Sequence, residues 1–252
     1  MKLCVAIPCF FKGDFAEAVR KVAALGFNAV ETYRYKDLDI PAVKQALEET
    51  GVSLLSICTS FFDLTDPQRR EEYLQGIKES CEAAAALGVK KMITQVGQDT
   101  GAPREEQHAS IVAGLKEAAH ILASYGITLM IEPLNVLVNH PGYYLTSAAE
   151  AFAIIKEVNS PFVKVVYDIY HQQITEGNII PTVTENLAYI AHLHGAGHPG
   201  RHEMWQGESD YRNILTAIKQ AGYEGYFGLE YFPLLDPIES LKTAKELYGS
   251  LL

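Results

Sequence analysis

The feature that most constrains this chain is a count. Eight short runs of β-branched or apolar residues fall at 3–7, 28–31, 53–58, 91–95, 128–132, 164–168, 190–194 and 226–230. Between them, stretches such as 15–25, 72–87, 111–125 and 148–158 return apolar residues every three or four positions, the spacing of a helix with one buried face. The joints repeat as well: Leu25-Gly26-Phe27, Thr50-Gly51-Val52, Leu87-Gly88-Val89, Tyr125-Gly126-Ile127 and Ala221-Gly222-Tyr223 each set a glycine where a helix must stop and a strand begin. Strands that alternate with helices pair in parallel through right-handed crossovers, and eight such units let the sheet close on itself. The pattern predicts one α/β domain over 1–252, a single TIM barrel, (β/α)8. Only the sixth connection reads poorly: Gly177 and Pro181 interrupt it, leaving 182–187 as its expected helix.

Composition narrows the function. A chain of 252 residues, 48% hydrophobic, can bury a large core, and its formal charge of -10 without a dense Lys/Arg run argues against nucleic acid or a membrane surface as partner. The first apolar run meets Pro8 after a few residues, too short for a signal peptide or a spanning helix, so a cytoplasmic protein is expected. Cys4, Cys9, Cys58 and Cys81 lack C-x-x-C spacing and are expected as reduced thiols. An open doubly wound sheet would carry a glycine-rich turn after its first strand, but Pro8-Cys9-Phe10-Phe11-Lys12-Gly13 has one glycine; neither a P-loop nor a G-x-S-x-G elbow occurs.

The chemistry is written at strand ends. Glu132, Asp168, His194 and Glu230 are the last residues of runs five to eight. In a barrel those ends open on one face from neighbouring strands, so the four side chains can converge. Any one of them alone reads more simply as a solvated or helix-capping group; four at equivalent positions point to a metal site. Three carboxylates and one imidazole favour one hard divalent ion, Mn²⁺ or Mg²⁺ first and Co²⁺ next. Such an ion would polarise a carbonyl and its neighbouring hydroxyl, and a carboxylate beside it would take the proton from the adjoining carbon, giving a metal-stabilised enediolate.

Several nearby residues have two readings each. His171, three residues after Asp168, is either a substrate donor or a loop histidine bonded to backbone. Arg201 is either a fork for an anionic or polyhydroxylated substrate or a solvated ion pair, and Asn135 either a substrate hydrogen-bonder or a turn former. Glu31 ends the second run, on the far side of the ring, so it is left outside the metal set and taken at most as a substrate contact. Trp205 would be an aromatic lid or, more simply, packing. His108, His120 and His140 have no evident partner and read as surface or core. Phe10-Phe11 and Ser60-Phe61-Phe62-Asp63 would supply aromatic walls.

At these motifs the chain resembles the hydroxypyruvate isomerase family, within the wider group of xylose isomerase-like barrels that also holds ketose 3-epimerases. The resemblance covers nearly the whole length and is densest in Ile131-Glu132-Pro133-Leu134-Asn135, Tyr167-Asp168-Ile169-Tyr170-His171-Gln172, His192-Leu193-His194, Pro199-Gly200-Arg201-His202-Glu203, Gly207-Glu208-Ser209-Asp210-Tyr211 and Gly228-Leu229-Glu230-Tyr231. It implies a metal held by Glu132, Asp168, His194 and Glu230, with Glu132 and Glu230 as paired acid and base on opposite faces of the substrate, and with His171 and Arg201 as substrate contacts. His194 departs from it, since the hydroxypyruvate isomerases carry glutamine there and the ketose 3-epimerases histidine. The expected activity is isomerisation of a small hydroxy-carbonyl compound, with ketose 3-epimerisation as the alternative. A metal-dependent phosphodiester hydrolase would need more histidines and a basic face, and a non-catalytic barrel binding a sugar or a partner protein stays compatible with the fold. A homo-oligomer is also compatible, although no stretch marks its interface.

Overall fold

The computed structural model describes residues 1–60 and 63–251, so the expected wall residues Phe61 and Phe62 lie outside the described residues. Eight strands form a closed barrel in chain order: β1 Lys2–Ala6, β2 Ala29–Thr32, β3 Ser53–Cys58, β4 Lys91–Thr94, β5 Thr128–Ile131, β6 Val163–Asp168, β7 Ile190–Gly195 and β8 Tyr226–Leu229. Every pairing is parallel, and β1 against β8, with Lys2 opposite Tyr226 and Val5 opposite Leu229, closes the ring. Register shifts interrupt β2 against β3 at Val30/Glu31 and β6 against β7 at Val165/Val166.

Helices fill the connections: α1 Ile7–Phe10, α2 Phe15–Ala24, α3 Ile40–Thr50, α4 Arg70–Leu87, α5 Arg104–Tyr125, α6 Ala148–Val158, α7 Ile169–Thr175, α8 Ile179–Glu185, α9 Tyr211–Gln220 and α10 Pro237–Tyr248. Their starts follow from short polar side chains that accept an otherwise unpartnered N–H, as Asp14 does from Glu17 N at 2.8 Å. Their ends follow from glycine: Gly88 and Gly126 sit at φ of 73° and 61°, a left-handed turn that a Cβ would oppose. None of these helices is long and apolar enough to cross a membrane.

The sixth connection corrects the sequence expectation. It holds two helices, α7 and α8, rather than one helical stretch at 182–187. Pro181 is the third residue of α8, in the first turn, where its missing N–H costs no intrahelical bond, and Gly177, at φ 64°, turns the chain between the two helices. The apolar pattern also placed the start of α5 seven residues late, because its first two turns, from Arg104, are polar.

The strand period of two divides the core. A large cluster joins strand residues such as Leu129 and Leu193 to the helical faces carrying Val19, Leu115, Phe152 and Leu215. A smaller one, Cys58, Ile93, Met130 and Val166, belongs to the opposite faces of β3 to β6, the barrel interior. Glu132 and Asp168 lie two positions beyond Met130 and Val166, so they share that inward face at the barrel's C-terminal mouth.

Candidate metal centre

The inward residues at that mouth form one group. Ligand atoms of Glu132, Asp168, His194 and Glu230 all lie within 4.8 Å of one another, and all four residues are buried. Asp168 ends β6 and His194 is the fifth residue of β7; Glu132 and Glu230 follow β5 and β8 by one residue rather than ending them. Asp168 also caps α7, its Oδ1 accepting from Tyr170 N at 2.8 Å, which leaves Oδ2 for the centre.

Such crowding has an electrostatic cost. Two unit negative charges 4.8 Å apart repel by roughly 3 to 4 kcal/mol at an effective dielectric near 20. Burial and the neighbouring Glu230 push Glu132 up to about 8 and Asp168 up to about 7. Burial presses Glu230 the same way, but the Arg201 guanidinium and the His194 imidazole outweigh it and hold Glu230 well below the usual carboxylate range. His194 Nδ1 stands 3.0 Å from Glu230 Oε2, yet the pair is out of hydrogen-bond alignment, and both atoms are buried without a hydrogen-bond partner. Three carboxylates and an imidazole, all buried with ligand atoms within 4.8 Å of one another, are a set that a divalent cation would satisfy, so the donors fit the hard ion expected from sequence.

Around the donors lies a cavity of about 700 Å³ including its open mouth. Tyr33, Cys58, Ile93, Leu134 and Phe232 supply its walls, and His140, His171 and Arg201 its polar contacts beside Glu132 and Glu230. Arg201 reaches Glu230 Oε2 at 2.9 Å and Asp168 Oδ2 at 3.4 Å, with its guanidinium 5.2 Å from the Tyr170 ring centroid. Its backbone is held at φ 58°, a left-handed position costing a non-glycine residue about 1 kcal/mol or more. The turn that carries it is fixed by Phe232 N donating to Arg201 O at 2.8 Å and by Glu203, fully buried, which accepts from Leu234 N, Leu235 N and Ser240 Oγ.

His171 is oriented by what it accepts. Asn135 N and Nδ2 both point at its Nδ1, at 3.2 and 2.7 Å, so the proton belongs on Nε2, which faces Asp168 Oδ2 at 3.5 Å and has no hydrogen-bond partner of its own. Asn135 itself is fully buried: its carbonyl oxygen accepts from Val138 N and Asn139 N, and its amide holds His171. The structure therefore puts Asn135 in the turn and behind His171, away from the cavity lining.

Tyr33 escaped the sequence reading, and His140 and Glu31 have surroundings that it did not anticipate. His140 lies in the cavity wall with its ring 5.2 Å from that of His171; the signal was its place in the long connection between β5 and α6. Tyr33, two residues past Glu31, lines the same wall. Glu31 was placed outside the metal set on the far side of the ring, yet its Oε2 lies 2.7 Å from His194 Nε2. Trp205 packs edge-on to Tyr231, 6.3 Å between centroids, and His108 pairs with Glu157 at 2.9 Å on the surface.

Comparison with known proteins bears on the family and the fold. The family model for the xylose isomerase-like TIM barrel matches residues 19–247. The chain belongs to that family. Hydroxypyruvate isomerase of Escherichia coli (strain K12) is 34% identical over 233 residues, covering 89% of this chain and 90% of that protein. The 2-oxo-tetronate isomerase of Cupriavidus necator is 34% identical over 184 residues, 73% of this chain and 70% of that protein. Among solved structures, one described as an AP endonuclease, family 2, from Brucella melitensis superposes with a TM-score of 0.92 at 26% identity, over 98% of this chain and 99% of that one.

Proposed function

We propose that this chain is a metal-dependent isomerase of a small 2-oxo compound bearing an adjacent hydroxyl, such as hydroxypyruvate or a 2-oxo sugar acid. One observation carries the reading: four buried donors from consecutive strands meet in one cluster, and two of them, Glu132 and Glu230, line a cavity that Arg201 and His171 line as well. The relatives named isomerases act on compounds of this kind by their names, and they cover most of the chain.

Glu132, Asp168, His194 and Glu230 would hold the ion, Mn²⁺ or Mg²⁺ by the hardness of the set, and the ion supplies electrostatic stabilisation for oxygens that gain charge when the substrate enolises. The chain's own residues then move the proton. Glu132 and Glu230 line one cavity from non-adjacent strands, so each can present a carboxylate to a substrate bound between them. One carboxylate removes a proton from the hydroxyl-bearing carbon, the hydroxyl proton passes to the former carbonyl oxygen, and a proton returns to the former carbonyl carbon, so that carbonyl and hydroxyl exchange places. Arg201 offers two parallel donors to a carboxylate or hydroxyl oxygen, and His171 offers Nε2–H. Tyr33, Ile93, Leu134 and Phe232 limit water around the reacting carbons.

Histidine at position 194 favours a second outcome, C3 epimerisation of a ketose, in which the proton is lost and regained at the same carbon from opposite faces. The phosphodiester hydrolase reading has less support, since only one histidine stands among the four clustered donors and the chain is acidic. The deciding experiment is NMR in D₂O with added Mn²⁺ on hydroxypyruvate, 2-oxo-tetronate and a panel of C4 to C6 ketoses. Conversion of hydroxypyruvate to its aldehyde isomer, or of 2-oxo-tetronate to its 3-oxo isomer, supports the isomerase, C3 epimers support the alternative, and a metal-loaded protein that neither exchanges deuterium nor converts any of them defeats both.

A further inference from the structure

Glu31 takes no part in the reaction above, yet it is a carboxylate only 2% exposed inside the barrel. Burying such a group costs several kcal/mol unless it is well partnered, far more than an apolar side chain in that place. It is fully partnered. Oε2 lies 2.7 Å from His194 Nε2, Oε1 lies 2.5 Å from His192 Nε2, and Cys4 donates its S–H to Oε1 at 2.8 Å.

We propose that Glu31 is the positioning residue of the metal centre: it accepts the Nε2–H of His194 and thereby turns Nδ1, with its lone pair, toward Glu132, Asp168 and Glu230. The inference rests on the metal reading above and concerns how that site is built. A neutral imidazole can ligate through one nitrogen only if the proton is kept on the other, and a hydrogen-bond acceptor behind the ring decides which. Here the acceptor comes from across the barrel.

Three local features serve that contact. The register shift at Val30/Glu31 re-aims the strand at the residue that must reach inward. Gly228 stands beside His194 in the register of β7 and β8, and a Cβ there would run into the His194 ring and approach His192 Nε2 to 3.3 Å, so glycine leaves room for both imidazoles. His192 holds the other oxygen of Glu31, which keeps the carboxylate from rotating away. The result is that His194 Nδ1, buried without a hydrogen-bond partner, faces the carboxylates.

Cys4, Glu31 and His192 also bring ligand atoms within 4.8 Å of one another and form a rival cation site. The S–H of Cys4 donating to Glu31 argues that the group is a hydrogen-bonded core rather than a second centre. The test separates the two.

Free Mn²⁺ is measured by EPR while the ion is titrated into the wild type, Glu31→Gln, His194→Gln and the double variant. Glu31→Gln is expected to weaken binding about 10- to 100-fold, the usual effect of removing a partner behind a metal ligand, while the far-ultraviolet spectrum of the metal-free protein stays unchanged. In the His194→Gln background the same substitution is expected to add no further loss. An affinity within threefold of wild type, or an equal loss in both backgrounds, overturns the proposal. So does a thiolate charge-transfer band on Co²⁺ addition that Cys4→Ser abolishes, because Glu31 would then be a ligand of another ion. A readout free of variant folding is ¹⁵N–¹H NMR of the Mg²⁺-loaded wild type: a His194 proton on Nε2 is required, and one on Nδ1 overturns it. A wild type that binds no Mn²⁺ removes the parent reading together with this one.

Discussion

The two halves of the barrel share one period and end differently. Strands β5 to β8 lead into Glu132, Asp168, His194 and Glu230, whereas β1, β3 and β4 end in Ala6, Cys58 and Thr94. The cavity inherits the division: its donors come from the later strands and part of its apolar wall, Cys58 and Ile93, from the earlier ones. Both halves solve the same packing problem, with inward and outward residues alternating along each strand, so the fold tolerates either kind of ending. What the contrast teaches is that the clustered donors sit at the C-terminal ends of four strands, while the buried apolar residues are spread over all eight and the helices around them.

The contrast can be broken by experiment. Glu132→Gln and Glu230→Gln are expected to lower deuterium exchange and turnover about 10²- to 10⁴-fold, whereas Ile93→Val on the wall should cost far less; equal losses would dissolve the distinction. Met92→Ala, at a fully buried site on β4, should cost about 2 to 5 kcal/mol in urea unfolding yet leave Mn²⁺ affinity within about threefold. Arg201→Lys keeps the charge and loses the planar fork, so KM should rise about 10-fold or more with a smaller change in kcat; the reverse split would argue that Arg201 acts mainly in the transition state.

The smallest effect concerns Glu203. Burial raises its proton affinity, but Leu235 N, Leu234 N and Ser240 Oγ together hold the carboxyl below its ordinary value. A group lowered in the folded state stabilises above its unfolded pKa, about 4.3, and loses that contribution as pH falls through the folded value. Glu203→Gln should therefore cost about 1 kcal/mol near neutrality, and the gap from wild type should narrow below about pH 4. A gap that widens in acid would show that the carboxylate is not the stabilising form.

Sequence carried much of this. Eight runs with glycine at the joints are enough to predict a closed parallel barrel, because each glycine marks a helix end whose backbone only it adopts readily. The four donors were legible because a barrel puts equivalent strand ends on one face, and the structure brings their ligand atoms within 4.8 Å. Glu31 was not legible as a partner of His194, since ring order separates β2 from β7, while an inward-pointing glutamate crosses the narrow interior directly. Asn135 was ambiguous for a different reason: the same amide that could meet a substrate also closes a turn, and only the packing of His171 decides its direction. The helices α7 and α8 were obscured because proline in a first turn looks like proline in a helix interior when the boundary is unknown.

Glu203 has a consequence for redesign. Because its carboxylate grips the backbone after β8, and Phe232 N grips Arg201 O in return, the connections after β7 and β8 behave as one cassette, carrying the arginine fork on one side and the Phe232 wall on the other. Transplanting either connection alone from a relative would sever the grip and misplace both; a swap meant to change substrate preference has to move the pair.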